Sequence, residues 1–233
     1  QVDIVFKSFE KDSFSHKGEN YTIPPEVPYR GYTLEEITVV PRPVNRPVEC
    51  WQPIQSATPR GLDFMAKHGM SGIIGGGSSE GGAMDKAVQG FRDAYARAGS
   101  ELQLGERLSI GFHYHIAETQ EKAMAEVGAM YEENLKMFGP LRLVRALSDE
   151  QLVWMSDSKV APTADLPRVE DAVKSGGVLA GPPGVIIEQL KDLERLYPGL
   201  DRVCVSHPMG APQSVITEQL QQFSEEVMPS FGK

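Results

Sequence analysis

Apolar residues recur along this chain at two spacings, and the change from one to the other outlines its elements. Val2, Ile4, Val5, Phe6 and Phe9 fall at helical intervals, so the chain opens on what reads as the end of an amphipathic helix. The stretch 14–23, FSHKGENYTI, sets two β-prone runs on either side of Lys17-Gly18. It predicts a hairpin with the glycine supplying a positive φ. Six prolines follow between residues 24 and 48: Pro24, Pro25, Pro28, Pro41, Pro43 and Pro47. They predict extended, irregular chain.

From residue 49 onward the two periods alternate. Strands are expected at 50–56, 72–75, 107–116 and 201–206. Helices are expected at 59–68, 83–98, 119–138, 183–196 and 212–227. Thr58-Pro59 and Thr119 supply start signals, and Gly69 and Gly99 supply stops. Leu62, Phe64, Met65 and Ala66 form the apolar side of the first of these helices. Val215, Ile216, Leu220, Phe223 and Val227 form that of the last. Residues 139–181 read as a long connection with local helical stretches. Four strands separated by helices predict a parallel sheet covered by helices. The pattern alone does not separate an open doubly wound sheet from a piece of a barrel.

Composition narrows the classes. The chain has 233 residues, with 23 Lys and Arg against 32 Asp and Glu, a net charge of −9. That surplus of acid argues against nucleic acid or an anionic membrane as the main partner. No apolar run approaches the ~20 residues of a membrane helix. The only cysteines, Cys50 and Cys204, make no disulfide framework and fit reduced thiols of a cytoplasmic protein. Gln1 at the start, in place of Met, predicts a piece of a longer chain.

Four places could carry chemistry. Ser56-Ala57-Thr58 sits between a strand and a helix start, where hydroxyls and free N–H groups favour an anion; a plain helix cap explains the same residues. The loop from Gly75 and Gly76 into Gly77, Ser78 and Ser79 stands at the same kind of junction, yet matches no phosphate-binding fingerprint and reads equally as a flexible loop. His113 and His115 lie two apart on one strand and share a face, opposite Ile110, Phe112, Tyr114 and Ile116. If helices cover the apolar face, the histidines face inward, with His115 nearest the rim where barrel sites lie. Two hydrogen-bonded core histidines are the alternative, and with no third ligand near in sequence no metal is expected. His207 closes the last strand, and Trp51 and Trp154 read as packing residues.

Several motifs, in order, resemble the bacterial luciferase-like flavin-dependent monooxygenases. PRPVNRPVECWQPIQSATPRGLDFMAKHG (41–69) is similar to that family's proline-rich lead-in, strand, small-polar turn and helix. HIAETQEKAMAEV (115–127) resembles its strand-to-helix step, AGPPGVIIEQLKDL (180–193) a later helix, and FSEEVMPSF (223–231) its closing segment. The resemblance implies the C-terminal part of a (β/α)8 TIM barrel with an extended insertion. It makes 1–233 a single domain, with a hairpin and Pro-rich lead-in at 1–48, βα units at 49–138, a lid-like insertion at 139–181 and last βα units at 182–233.

The implied activity is oxygenation of a small organic substrate, such as an aldehyde or ketone, by reduced FMN and O2, with a separate flavin reductase. A deazaflavin-dependent oxidoreductase, or a non-catalytic flavoprotein or structural subunit, is the alternative. By the same resemblance, Ser56, Ala57 and Thr58 contact the flavin phosphate, Gly75 and Gly76 lie near the flavin, and His113 and His115 are the catalytic positions facing the cavity. A homodimer or a missing barrel half is the implied partner. Pro53 departs from the strand pattern, because a proline cannot donate to the ladder.

Overall fold

In the computed structural model, which describes residues 1–76, 82–138, 148–156, 159 and 167–231, the opening periodicity folds as helix α1 (Val2–Glu10). The Arg42 guanidinium donates to the carbonyl oxygens of Ser8 (3.1 Å), Phe9 (3.4 Å) and Lys11, which the end of a helix leaves without partners. The expected hairpin is present as β1 (His16–Lys17) paired antiparallel with β2 (Thr22–Ile23). Its glycine has a different reason. Gly18 is not among the residues with positive φ, but a Cβ there would lie 2.5 Å from the His16 ring. The proline-rich stretch holds a second hairpin that the sequence did not suggest, β3 (Pro28–Tyr29) with β4 (Tyr32–Thr33). Arg30 (φ 50°) and Gly31 (φ 83°) both take positive φ at its turn, the requirement of a tight two-residue connection. These elements belong to one compact unit, Gln1–Cys50; residues Trp51–Lys233 form the other.

The second unit runs β5 (Trp51–Pro53), α2 (Pro59–Lys67), β6 (Ser71–Gly75), α3 (Ala83–Arg97), β7 (Leu108–Ile116), α4 (Gln120–Phe138), α5 (Asp149–Ser156), α6 (Val169–Lys174), β8 (Val178–Gly181), α7 (Pro183–Leu196), β9 (Arg202–Ser206) and α8 (Gln213–Gln222). A π-helical turn, Phe223–Val227, and a 3-10 turn, Met228–Ser230, continue α8. The expected count of four strands is corrected to five, all parallel. Residues 139–181 are not only a connection, since they include α5, α6 and the short buried strand β8. A four-residue apolar run beside Gly176 and Gly177 carries too little period to announce itself. The rest of the lid-like stretch (139–147, 157–158 and 160–166) and Gly77, Ser78 and Ser79 of the glycine loop lie outside the described residues.

Strand β7 organises the sheet. β5 pairs β6, and β6 pairs the first half of β7 through Gly72↔Leu108 to Gly75↔Gly111. β9 lies along the other edge of β7, from Ser109↔Arg202 to His113↔Ser206. His113 also pairs with Val178, so β8 must share the β6 edge and extends the sheet beyond it. Gly72 is needed where β6 and β7 meet, since a Cβ would fall 2.6 Å from Ile54 and 2.7 Å from Leu108.

Alternation then sorts the side chains. Ile74, Leu108, Ile110, Phe112, Tyr114 and Ile116 share one face and are all buried. Met84 of α3 and Leu190 and Leu193 of α7 face Phe112 and Leu179 on that side across a cavity of about 700 Å³. The other face carries Ile73, Ser109, His113, His115, Arg202, Cys204 and Ser206. Its lower part is open, with Ile73 and Cys204 exposed. Its upper part is covered: Val178 and Ala180, level with the two histidines, pack into one core cluster with Ala123, Val127 and Val169 of α4 and α6. Two expected inward residues turn out: Phe64 of α2 and Leu220 of α8 are exposed, while the polar Gln219 is buried beside the latter.

Candidate functional site

Because all five strands are parallel, the loops that follow them leave one edge of the sheet. At the end of β7 a cavity of about 660 Å³ opens between that strand, α4 and α8. His115 and Ile116 form its floor. Glu118, Lys122, Glu126 and Met130, spaced four residues apart across the loop and α4, form one wall. Glu218, Gln219, Gln222 and Glu226 form the other. The wall on α4 starts correctly because Thr119 accepts the Lys122 N–H at 3.1 Å, fixing the helix start and hence which side meets the strand.

His115 is 2% exposed, and its Nε2 lies 2.9 Å from Glu126 Oε2. With the proton on Nε2 donated to that carboxylate, Nδ1 is left as a bare acceptor; it is buried and has no partner among the described residues. His115 therefore lines a cavity between β7, α4 and α8, and the expectation that it avoids the helix layer is corrected, because α4 crosses its face of the sheet. The Gln219 carboxamide, also buried, accepts the Ile116 N–H at 2.6 Å and donates to the Ile116 carbonyl at 2.9 Å, in the manner of one more strand. This explains why Gln219 rather than Leu220 turns inward: it satisfies the last buried peptide groups of β7.

His207 sits beside this floor. Its ring is 5.6 Å from that of His115 and 4.7 Å from that of Tyr114, and both ring nitrogens are buried without a partner among the described residues. Burial, with His115 and His113 nearby, pushes its pKa down to about 4. Burial likewise lifts Tyr114 to about 12, and its hydroxyl too is buried without a partner among the described residues. His113 lies one step below, its Nδ1 3.3 Å from Ser206 Oγ, and burial lowers its pKa.

The other expected positions lie elsewhere along the same edge. Thr58 is the N-cap of α2, its hydroxyl accepting the Gly61 N–H at 3.4 Å; Pro59 opens the helix and no acid stands in the first turn. Ala57 takes a positive φ of 43°, and Ser56 is exposed. The Gly76 N–H donates to the Gly111 carbonyl at 2.6 Å, and a Cβ at Gly76 would strike the Phe112 ring at 2.2 Å. At Gly75 a Cβ would meet nothing within 4 Å. None of Ser56, Ala57, Thr58, Gly75, Gly76 or His113 lines the His115 cavity. Trp154 is 40% exposed and belongs to no buried core among the described residues. Sequence reading missed Glu126, Glu218, Gln219 and Glu226. The stripe Glu118, Lys122, Glu126 at four-residue spacing was the available signal, since it places one polar side of a helix next to the strand end.

Among the described residues no three His, Cys, Asp or Glu side chains are grouped to hold a metal, and no helix is long and apolar enough to cross a membrane. Residues 2–198 match the family model of the luciferase-like monooxygenases. Among solved structures, the oxygenating constituent of 3,6-diketocamphane monooxygenase from Pseudomonas putida, in complex with FMN, superposes with a TM-score of 0.64 at 17% identity, covering 98% of this chain and 61% of its own. A monooxygenase from Streptomyces bottropensis gives 0.61 at 16% identity, covering 99% and 60%. An F420-dependent secondary alcohol dehydrogenase in complex with an F420-acetone adduct gives 0.61 at 14% identity, covering 100% and 60%. This chain thus spans less than two thirds of the structures it resembles. No curated protein sequence matches it.

Proposed function

We propose, because the chain belongs to the luciferase-like monooxygenase family, that it takes part in oxygenating a small organic substrate, such as an aldehyde or ketone, with reduced FMN and O2. The observation that carries this reading is the His115–Glu126 pair on the floor of a cavity at the C-terminal end of a parallel strand. Reduced flavin, delivered by a separate reductase, supplies the electrons that activate O2. The protein's part is to bind, to exclude water and to handle protons. Glu126 holds the His115 Nε2–H and so fixes the ring and its tautomer, and the His115–Glu126 pair is the proton-handling group of the cavity. His113 orients the strand end through Ser206.

The residues at the foot of α2 fit a phosphate. Its first turn is free of acid, Thr58 and Ser56 offer exposed hydroxyls, and Arg60 stands exposed at the second helical position. We assign Ser56, Ala57 and Thr58 to the flavin phosphate, and the open backbone at Gly75 with neighbouring Gly76 to the flavin. A deazaflavin is the second reading, favoured by the dehydrogenase neighbour, which fits as well as the Streptomyces bottropensis enzyme. β9 pairs only β7 among the described residues and is exposed, so we place further barrel strands or a second copy of the chain beside it.

The test is anaerobic titration of the protein with reduced FMN, and separately with reduced F420, followed by admission of O2 with candidate carbonyl substrates. Saturable binding of reduced FMN and substrate-dependent O2 uptake, at least about tenfold slower in His115→Asn, is expected. Binding of F420 alone moves the assignment to the deazaflavin reading. Binding of neither, or flavin binding with no turnover, overturns the oxygenase.

A further inference from the structure

The cavity of about 700 Å³ on the helix-covered face lies on the opposite side of β7 from His115. Phe112 of β7 and Leu179 of β8 form its floor, and Met84 of α3, Val173 of α6 and Leu190 and Leu193 of α7 form its apolar walls. All six are buried residues of the core, so the cavity reaches down between the helices to the sheet. An apolar body seated there gains the contacts that close packing gives elsewhere in the core. The mouth is polar. Lys174, Ser175 and Gly176 stand at the end of α6, and Gln189, Asp192 and Arg195, with the partly exposed Leu196, stand on α7. Asp192 pairs with Arg195, so its charge is matched. The Lys174 ammonium has no hydrogen-bond or ion-pair partner among the described residues. The mouth therefore carries an unmatched positive charge, on a chain whose net charge is −9. A cation above a buried apolar floor defines the two ends of a ligand.

We propose that this second cavity binds an amphiphilic monocarboxylate, a molecule with one apolar chain and one carboxylate head. The chain lies on Phe112, Leu179 and Leu193, and the carboxylate pairs with Lys174 at the mouth. The site stands apart from the His115 cavity and does not depend on the reaction assigned there. A cationic amphiphile of the same length is repelled by Lys174, and a neutral one gains only the apolar contact.

The test is equilibrium calorimetry on the full chain at about 0.1 M salt, with hexanoate, octanoate, decanoate, decanol and decylammonium as probes. Affinity for the carboxylates is expected to rise about fourfold per added methylene, with decylammonium weaker than decanol. Lys174→Gln, at an exposed position, is expected to weaken decanoate about fivefold and leave decanol unchanged. The same charge change away from the cavity, Lys67→Gln at the end of α2, is expected to alter neither. The position is read from the methionine methyl resonances of protein labelled there with carbon-13, assigned with Met84→Leu and Met130→Leu. Decanoate is expected to shift Met84 and to leave Met130, which lines the His115 cavity, unmoved. A flat chain-length series, equal affinities for decanoate and decylammonium, equal losses in the two lysine variants, a shift of Met130 without Met84, or no binding of any probe overturns the proposal. No flavin enters these measurements, so failure of the oxygenase reading leaves their outcome unchanged.

Discussion

The two faces of the β6–β7–β9 sheet are made from the same strands and have opposite roles. On one, Leu108, Ile110 and Tyr114 are fully buried, and among the described residues of these three strands the one side-chain polar atom on that face is the Tyr114 hydroxyl. On the other, residues one step along the same strands are Ser109, His113, His115, Arg202 and Cys204. This difference shows how a period of two lets one strand supply cohesion and chemistry together: each residue is assigned to its role by parity alone. It also shows where the separation fails. At the top of β7, helix α4 crosses to the polar face, and a histidine that parity sends to an open lumen instead meets a carboxylate.

The largest expected effect tests the contrast directly. Leu108→Ala removes a fully buried side chain that packs at the close approach of β6 and β7, and should cost about 3 kcal/mol in urea unfolding. Ile73→Ala, one strand over on the open face, where the side chain is 37% exposed, should cost well under about 1 kcal/mol. Equal losses would mean that the open face is covered in solution, and the comparison would then be between two cores.

A smaller effect concerns the histidines that lie between the faces. In the folded chain His207 takes its proton near pH 4, against 6.5 when free. Between those values the unfolded chain binds more protons, so stability is complete above the upper value and falls as the solution is acidified towards the lower. The loss assigned to His207 is about 2 kcal/mol, since the ring is only half-buried. His113, lowered by burial as well, adds in the same direction. Because carboxylates also titrate near the acid end, the measurement is the difference between wild type and His207→Phe. The variant should show the shallower fall; identical slopes would mean that water reaches the His207 ring, and that His115 and Tyr114 beside it are less enclosed.

Much of this was legible because period and punctuation agreed. Helices α2, α3 and α4 begin and end within a residue or two of their expected bounds, where Thr58, Thr119, Gly69 and Gly99 mark the ends. The parity of β7 correctly set Ile110, Phe112 and Tyr114 against the histidines. What could not be read depended on distant partners. β8 is a strand because β7 offers a free upper edge, and nothing within Val178–Gly181 states that. Gln219 is inward because Ile116, 103 residues earlier, has peptide groups to satisfy. Glu126 is a candidate site residue through its approach to His115, which the helix period allows but does not require. The hairpin at Arg30-Gly31 was hidden by the prolines around it.

The smallest effect addresses the curvature that makes one face concave. Arg202 of β9 lays its guanidinium 4.8 Å above the ring of Trp51 in β5. Three strand spacings separate β5 from β9 through β6 and β7, about 14 Å in a flat sheet. Both residues belong to the histidine face, and a sheet curled towards that face brings the side chains together without either having to lie flat along it. Arg202→Ala should cost about 0.5–1 kcal/mol, as a partly exposed cation–π contact does, and should shift Trp51 emission to the red as the ring gains water. Trp154, the second tryptophan, serves as the background and is removed by Trp154→Phe. Arg202→Lys, which keeps the charge but not the planar stacking, should fall between the two. If neither emission nor stability moves, Arg202 and Trp51 do not meet in solution, and the contact across the histidine face is lost.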